Sequence, residues 1–423
     1  MKHIHARNRF RGGAVALCTL LLCAMLPLGA CSVAGGGTET DSGCTDSYVV
    51  EEELLGYEDG SVVKWEGRYE YKEGDSSEGV PDMVYLYHTA TGFTVSFTGT
   101  ELVVGFYSDI NNKPYYNVAV DDETLPNPDE ERTFFLSGGY EEITVVSGLE
   151  SGTHTVQCLK MSEPYDADTA VYFFETDGNF EYYDEDDAAG SFRFMVVCAS
   201  GGSGHGSLAF GYSSSHARTT ANSSSLHAFN YLTARMFGAD VQFVANSGWG
   251  VKYPKSISAV MDYTGITKEN TVSAAKKTAE WDYSNWVPDV ILFNIGGNDT
   301  VSSDFSQSDY QEEVVAMVES LHEHYPDAYM LWTHTGSKAG SYALTALSDA
   351  RADYVTGVRI PGVAESYEEY TSGSGTYGAN NHQSLKTHID SAEIIASALE
   401  EIGFTRLRDN ISFEDFENIL EMF

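Results

Sequence analysis

Residues 192–206 read FRFMVVCASGGSGHG, and this segment is the clearest indication of the architecture of the second half of the chain. It begins with a strand-like apolar run, Phe192–Val197, and a glycine-rich turn follows the run directly. Downstream, further apolar runs of strand length alternate with segments of helical periodicity. The strand-like runs are Val241–Ala245, Val290–Ile295 and Ala328–Thr333, and the helical segments are Leu226–Phe237, Tyr310–His324 and His388–Ile402. Buried strands that alternate with helices predict an α/β fold, a parallel sheet covered by helices on both faces.

Residues from about 48 to 180 show a different pattern, in which apolar and polar side chains alternate with a period of two. In one run, Phe93, Val95 and Phe97 alternate with Thr94 and Ser96. Similar short runs follow, separated by residues typical of turns: Leu102–Tyr107, Tyr115–Val120, Ile143–Val146 and His154–Met161. Many short strands without a convincing helix predict a β-sandwich of the jelly-roll type.

The two patterns divide the chain into two domains. We expect a β-sandwich domain at residues 48–180 and an α/β domain at residues 191–423. An acidic stretch at residues 181–190 is expected to connect them as a solvated linker, since it lacks the loop pattern of a calcium site.

Residues 1–30 are expected to be an export signal rather than part of the fold. Three arginines precede an apolar run at residues 14–28 that is too short for a membrane-spanning helix. The run ends in Leu28-Gly29-Ala30-Cys31, which resembles the lipobox of bacterial lipoproteins. We therefore expect Cys31 to carry lipid and residues 31–47 to form a flexible tether. This organisation predicts a protein anchored by lipid on the extracellular face of a bacterial membrane.

The charge balance of the chain is strongly acidic. Its 423 residues include 24 Lys and Arg against 63 Asp and Glu, a formal net charge of −39. Such a surface repels phosphate groups, which argues against nucleic-acid binding and against any membrane contact beyond the lipid anchor. The hydrophobic fraction of 42% is far above that of a disordered acidic tail. We expect a globular protein whose partner is neutral or cationic.

Cysteine usage predicts neither a disulfide framework nor a metal site. Apart from the signal and Cys31, the cysteines are Cys44, Cys158 and Cys198, an odd number with no metal-binding spacing. Cys158 and Cys198 lie in apolar strand-like runs, where a cysteine is most simply a small buried hydrophobic residue.

Residues that suit acyl transfer follow successive strands of the predicted parallel sheet. Ser200 comes after the first strand, Gly248 after the second and Asn298 after the third. His382 precedes the last helix. The carboxyl ends of parallel strands lie at one edge of a sheet, where α/β proteins place their active sites. Acyl transfer needs a nucleophilic hydroxyl, an imidazole base and donors aimed at the developing oxyanion, and these residues supply that set.

The order serine, glycine, asparagine and histidine resembles that of the SGNH hydrolases. In detail, the chain is similar to the acetyl esterases of carbohydrate esterase family 2, which join a jelly-roll domain to an SGNH domain. Stretches that match the family occur in both halves: Phe97–Thr100, Gly148–Val156, Leu232–Arg235, Ser247–Gly250, Trp281–Val290 and Gly296–Asp299. The resemblance covers nearly all of the chain after the predicted tether.

The resemblance implies a role for each of these residues. Ser200 would attack an acetyl ester while His382 takes its proton and later returns it to the sugar oxygen. The backbone N–H groups of Ser200 and Gly248, with the side-chain amide of Asn298, would bind the oxyanion. The implied activity is that of a serine carboxylic-ester hydrolase acting on acetylated carbohydrate without a cofactor or metal. Trp249 is either a stacking face for a sugar ring or an ordinary packed aromatic.

Two positions depart from the family pattern. The Gly-Asp-Ser usual around the nucleophile is replaced by Cys198-Ala199-Ser200. We place the nucleophile at Ser200 because the predicted strand leads directly into it, and Ser203 and Ser207 are the alternatives. Asn380 stands two residues before the histidine, where many SGNH enzymes carry an acid. Asparagine cannot stabilise imidazolium with a full charge, so a Ser–His dyad oriented by a backbone carbonyl is expected, as in some relatives.

Other classes of protein fit the sequence less well. Gly202, Gly204 and Gly206 follow a strand, but their spacing misses the G-x-G-x-x-G pattern of a dinucleotide-binding turn. His322 and His324 are two residues apart on a predicted helix and point in different directions, which argues against a shared metal ion. The remaining alternative is a surface carbohydrate-binding lipoprotein with a weak or inactive site on the same fold. The two departures favour it, and the presence of all four reactive residue types opposes it.

Overall fold

The structure is a computed structural model, and it describes residues 48–49, 62–182, 192–209, 217–267, 278–363 and 377–416. The predicted signal peptide, Cys31, the tether, Cys44 and most of the acidic connector lie outside these residues. None of the helices in the described segments has both the length and the apolar character needed to cross a bilayer.

The first domain is a sandwich of two antiparallel sheets, each of six strands. The strands are β1 (Tyr48–Val49), β2 (Val63–Glu66), β3 (Glu70–Lys72), β4 (Met83–Leu86), β5 (Gly92–Gly99), β6 (Leu102–Ser108), β7 (Tyr115–Val120), β8 (Thr133–Phe135), β9 (Gly139–Val146), β10 (Gly152–Lys160), β11 (Thr169–Thr176) and β12 (Asn179–Glu181). One sheet has the order β3-β4-β11-β6-β9 with β1 on β11, and the other has β12-β5-β10-β7-β8 with β2 on β5.

The alternation of side chains along β5 builds the core of the sandwich. Phe93, Val95 and Phe97 are at most 1% exposed, whereas Thr94 and Ser96 between them are half-buried. The buried side chains meet those of β6 in the opposite sheet, where the ring of Phe106 lies 6.2 Å from that of Phe93. A slip of one residue would turn this apolar face to solvent, so the pattern also fixes the strand register.

The second domain contains one parallel sheet of five strands. Its strands are β13 (Arg193–Cys198), β14 (Asp240–Ala245), β15 (Val290–Asn294), β16 (Tyr329–His334) and β17 (Val355–Arg359). Its helices are α1 (Phe229–Met236), α2 (Gly297–Val301), α3 (Gln307–His324), α4 (Lys338–Asp349) and α5 (Leu385–Glu401). Short 3₁₀ helices of the two domains lie at Glu130–Arg132, Ser225–His227, Ile257–Val260, Ala379–Asn381 and Glu414–Phe416. The strand order is β14-β13-β15-β16-β17.

The strand β13 lies inside this sheet and is buried on both faces. Phe194 and Val196 pack with α1 and α5, whereas Met195 and Val197 pack with α3 and α4 on the other face. Because both faces need apolar side chains, the sequence of β13 is a continuous apolar run instead of an alternating one. The predicted class, a jelly-roll sandwich followed by an SGNH-type α/β/α domain, is confirmed.

Buried polar contacts join the two domains. Arg68, in the turn after β2, is fully buried, and its Nε donates to Gln242 Oε1 at 3.0 Å. Lys64 Nζ lies 2.8 Å from Asp240 Oδ1, at the start of β14. These contacts hold the sandwich against the edge of the parallel sheet.

The structure adds elements that the sequence pattern did not indicate: α2, α4 and β17 in the second domain, and β1–β4, β8, β11 and β12 in the sandwich. Cys158 and Cys198 are buried and free, as predicted.

Candidate active site

The candidate site lies at the carboxyl edge of the parallel sheet, between β13 and β15. In this strand order the chain leaves β13 toward β14 on one side and later returns to β15 on the other, which opens a crevice at the strand ends. Ser200 follows β13, Asn298 follows β15, and His382 comes from the loop before α5. The three residues line one cavity of about 490 Å³.

Ser200 occupies a tight turn directly after β13. The Ala199 N–H donates to the carbonyl of Asn294 at 3.1 Å, which continues the pairing with β15 up to the serine. Gly204 has φ +71°, and a Cβ atom there would lie 1.9 Å from the Ser224 carbonyl oxygen, so the turn requires glycine. The turn leaves Ser200 half-buried at the cavity wall.

The Ser200 hydroxyl and the His382 imidazole form a hydrogen-bonded pair. Ser200 Oγ lies 2.7 Å from His382 Nε2, and His382 Nδ1 lies 2.8 Å from the Asn380 carbonyl oxygen. A carbonyl only accepts, so Nδ1 carries the proton and Nε2 offers its lone pair to the serine. Burial, with the nearby His205 imidazole, lowers the pKa of His382 to about 4, so the ring is neutral at pH 7.

The backbone at Asn380 has an unusual conformation that directs its carbonyl. Asn380 has φ 50° and ψ 42°, and Asn381 has φ 59°. Asparagine tolerates this left-handed region better than most residues with a side chain. The contact with His382 is therefore made by the backbone of Asn380, while its side-chain Nδ2 lies 3.4 Å from His205 Nε2.

The alternative nucleophiles Ser203 and Ser207 lie away from any base. Ser203 is 1% exposed and donates to the Ala199 carbonyl at 2.9 Å. Ser207 is fully buried and donates to the Ser224 carbonyl at 3.2 Å. Both hydroxyls hold the turn, and of the three candidate serines it is Ser200 that forms a hydrogen bond with an imidazole in the described part of the chain.

Gly248 and Asn298 lie near one another around the turn after β14. Gly248 is exposed with φ +79°. Asn298, half-buried on α2, donates from Nδ2 to the Trp249 carbonyl at 2.7 Å. An amide nitrogen carries two hydrogens, so a second donor remains on Asn298 at the cavity wall.

Trp249 was expected either to stack against a sugar or to pack internally, and the structure places it in the core. Its side chain is 3% exposed and belongs to the cluster beneath the sheet that includes α3 and α4. A ring buried in this way presents no face to a ligand, so the stacking role is corrected to a packing one.

Asp299, the residue after Asn298, stabilises the turn that follows β14. Its carboxylate is fully buried and accepts the N–H groups of Val251, Lys252 and Tyr253 at 2.7–2.9 Å. Burial raises the pKa of Asp299, although these three hydrogen bonds oppose the shift. The motif Gly296–Asp299 was expected at this strand end, but the role of the aspartate was not predicted.

Glu163 and His205 adjoin the site, although neither was predicted from the sequence as a site residue. His205 follows Ser200 in the glycine-rich turn, and its ring centroid lies 4.5 Å from that of His382. Glu163 comes from the loop between β10 and β11, and its Oε1 lies 3.1 Å from His205 Nδ1. No local signal in the sequence connects a sandwich loop with this turn.

Within the described residues, no group of three or more His, Cys, Asp or Glu side chains is arranged to hold a metal ion. His322 stacks on Tyr354 and His324 on Tyr283, each with ring centroids 3.7 Å apart. The two histidines point in different directions, as predicted.

The structure joins a jelly-roll sandwich to an SGNH-type α/β/α domain that carries a Ser–His pair at the carboxyl edge of its sheet. Residues 77–181 match the sequence family described as Carbohydrate esterase 2 N-terminal. Solved structures of family two carbohydrate esterases and of an acetyl xylan esterase are similar to this chain over 81–84% of its length.

Two of these structures illustrate the likeness. A family two carbohydrate esterase from Clostridium thermocellum, solved in complex with cellohexaose, is 22% identical, with a TM-score of 0.64 over 81% of this chain and 100% of that one. An acetyl xylan esterase from the rumen bacterium Butyrivibrio proteoclasticus is 18% identical, with a TM-score of 0.66 over 84% of this chain and 100% of that one. At these identities the likeness establishes the fold.

A curated relative is longer than this chain. Cellulase/esterase CelE of Acetivibrio thermocellus is 22% identical over 360 residues, which are 81% of this chain and 40% of that protein. The chain therefore spans less than half of the length of this relative.

Proposed function

We propose that this chain is a carbohydrate O-acetyl esterase that uses a Ser200–His382 dyad. The observation that carries the proposal is the pair of contacts at His382, 2.7 Å to the Ser200 hydroxyl and 2.8 Å to the Asn380 carbonyl. A neutral imidazole held in this tautomer is a general base already in contact with its nucleophile.

The reaction proceeds through an acetyl-enzyme. Ser200 Oγ attacks the acetyl carbonyl carbon as its proton moves to His382 Nε2. The tetrahedral intermediate collapses, the bond to the sugar oxygen breaks, and His382 gives its proton to that oxygen. Water then attacks the acetyl-serine with the same base, acetate leaves, and Ser200 regains its proton.

The oxyanion of each intermediate needs donors that are in place before reaction. The backbone N–H groups of Ser200 and Gly248 and the second amide hydrogen of Asn298 fill this role in the proposal. Losing one such donor costs roughly 3 kcal/mol of transition-state stabilisation.

The cavity suits a hydroxyl-rich ligand. Its wall carries hydroxyl, amide and imidazole groups: Asn294, Thr333, His334, Thr335, Ser337 and Gln383. Polar groups of this kind orient sugars by hydrogen bonding. The net charge of −39 favours neutral glycans over acidic ones. Similar proteins also support a carbohydrate substrate, since one is an acetyl xylan esterase and another was solved with cellohexaose.

A glycan-binding protein with an inactive site is the alternative that the altered Cys198-Ala199-Ser200 motif favours. The experiment measures acetate release from acetylated xylan and from phenyl acetate by the full chain, Ser200→Ala and Ser203→Ala. The proposal expects Ser200→Ala to fall to background, a loss on the order of 10⁴-fold or more, and Ser203→Ala to remain active. No acetate release by the parent, with binding to xylan retained, would establish the alternative.

We also propose that Cys31 anchors the protein by lipid on the extracellular face of the membrane. Support comes from the sequence Leu28-Gly29-Ala30-Cys31 after an apolar run. Cys31→Ala should abolish labelling by an alkyne fatty acid in cells and release the protein from the membrane fraction. Equal labelling of parent and variant would rule out this anchor.

A further inference from the structure

A loop of the jelly-roll domain carries a buried carboxylate into the hydrolase domain. The loop connects β10 to β11, and Glu163 within it is 1% exposed. Arg218 fixes the loop, since Nη1 and Nη2 donate to the two oxygens of Asp166 at 2.5 and 2.6 Å. Arg218 Nη2 also lies 3.7 Å from Glu163 Oε1, and its guanidinium lies over the Tyr165 ring.

The two oxygens of Glu163 contact two different parts of the active site. Oε1 lies 3.1 Å from His205 Nδ1, and Oε2 accepts the Ser247 N–H at 3.0 Å. Ser247 directly precedes Gly248, so this second contact holds the turn that carries an oxyanion donor. Both neighbours approach Glu163 as donors, and only a carboxylate can accept from both.

His205 links Glu163 to Asn380, which contacts the proposed base His382. Its Nε2 lies 3.4 Å from Asn380 Nδ2, and an amide nitrogen can only donate. His205 therefore accepts at Nε2 and carries its proton at Nδ1, where it donates to Glu163. The backbone carbonyl of Asn380 in turn accepts from His382, so hydrogen bonds on either side of Asn380, joined through the covalent bonds of that residue, link Glu163 to Ser200.

We propose that Glu163 is a positioning residue for catalysis, which holds the Ser247–Gly248 turn directly and His382 through His205 and Asn380. This inference rests on the proposed esterase function. The position two residues before His382 lacks an acid, and Glu163 supplies a buried negative charge from the other domain. Burial raises the pKa of Glu163, but its hydrogen bonds with His205 and Ser247 and the charge of Arg218 outweigh burial and lower that pKa. Glu163 is therefore ionised at neutral pH.

The test compares Glu163→Gln with Glu66→Gln as a matched control. Glu66 is another buried glutamate of the sandwich domain, 6% exposed, and it contacts Lys64, Thr94 and Gln157 away from the site. The full chain of each variant is assayed for kcat and KM on phenyl acetate, for the rate of Ser200 labelling by an aryl phosphonate, and for its thermal midpoint.

Glu163→Gln should lower kcat and the labelling rate together by roughly 10- to 100-fold, with KM little changed. The physical reason is that glutamine has one accepting oxygen for two donors. Either the Ser247 N–H loses its acceptor, or His205 Nδ1 keeps only its contact of 3.1 Å with the Ser247 hydroxyl. Glu66→Gln should keep the kcat and the labelling rate of the parent.

A second variant tests whether Glu163 positions His382 through His205 and Asn380. Asn380→Gly retains the carbonyl and tolerates the positive φ, but it removes the side chain that contacts His205. Asn380→Gly alone should lower kcat several-fold, and the double variant should be no slower than Glu163→Gln. Losses that multiply in the double variant would overturn the route through His205 and Asn380.

The remaining outcomes separate this inference from the proposed function. Parent-like kcat and labelling in Glu163→Gln would overturn the positioning role, as would losses accounted for by a smaller folded fraction in active-site titration. A parent that labels at Ser200 but releases no acetate would overturn the esterase, and the labelling rates alone would then decide the role of Glu163. A parent that neither labels nor hydrolyses would overturn both.

Discussion

The proposed ester cleavage should persist in mild acid, because the proposed base His382 resists protonation. Burial and the neighbouring His205 lower the pKa of His382 to about 4. The dyad needs a neutral imidazole to accept the Ser200 proton, so kcat/KM should follow the neutral fraction of His382. The acid limb of the pH profile is then expected at about pH 4, well below the value of about 6.5 for an ordinary histidine.

The two pKa values predict clearly different neutral fractions of His382 at pH 5. With a pKa of about 4, about 90% of His382 is neutral at pH 5, whereas with a pKa of about 6.5 only about 3% is neutral. The rate at pH 5, relative to the plateau at neutral pH, therefore differs about 30-fold between the buried base of the structure and a solvated one.

The assay is a rapid jump from neutral pH into buffers between about pH 4 and about pH 8, with initial rates on phenyl acetate. Phenol does not titrate in this range, so the leaving group leaves the profile unchanged. Tryptophan fluorescence recorded in the same jump verifies that the chain is still folded. An acid limb near pH 6.5 in folded protein would refute the reasoning from burial.

Two further predictions concern the oxyanion site and the fold. Asn298→Ala should lower kcat about 100-fold on phenyl acetate with a smaller effect on KM, because a donor to the oxyanion is lost; an unchanged kcat would remove Asn298 from the reaction. Burial lowers the pKa of His88, His227 and His388 to about 3 each, so the unfolded chain binds these protons at a higher pH than the folded one. Their contribution to stability is complete above about pH 6.5 and is lost as the pH falls toward 3, by about 2 kcal/mol for each histidine at pH 5. The urea midpoint should therefore fall markedly between pH 7 and pH 5, and a constant midpoint would contradict the burial of these rings.

The fold was predictable where one physical requirement dominates a segment. Along β5 a single face is buried, and the side chains alternate; along β13 both faces are buried, and the apolar run is continuous. Both patterns can be read without knowing any partner strand. The location of Ser200 was also predictable, because this residue directly follows β13 and the carboxyl edge of a parallel sheet is where active sites lie.

β17 and α4, which the sequence did not indicate, are not dominated by a single physical requirement of this kind. β17 is an edge strand, and Thr356, Gly357 and Arg359 on it are exposed, so its sequence has little apolar pattern. α4 packs largely through Ala339, Ala343 and other small residues, which give a weak helical period. Segments of this kind take their structure from neighbours that the sequence does not identify.

The roles of Trp249 and Glu163 depended on contacts between distant segments. Nothing adjacent to Trp249 distinguishes a ring under the sheet from one beside the cavity, and the structure places it under the sheet. Glu163 and Ser247 are separated by 84 positions and belong to different domains. Only the docking of one domain on the other brings them together.

In the proposed reaction, the contact of His382 with a carbonyl instead of an acid changes how the transition state must be stabilised. The Asn380 carbonyl fixes the tautomer of the ring, but it brings no full negative charge to the imidazolium that forms as Ser200 attacks. Burial and the neighbouring His205 lower the pKa of His382 by more than the Asn380 carbonyl and the Glu163 charge raise it, so the ring is a weak base. A weak base takes the serine proton late, when negative charge has already developed on the acetyl oxygen. The donors at Gly248 and Asn298 must therefore carry more of the transition-state charge than they would beside an acid-supported histidine. Removing Asn298 should for this reason cost at least as much as removing an oxyanion donor from a Ser-His-Asp enzyme.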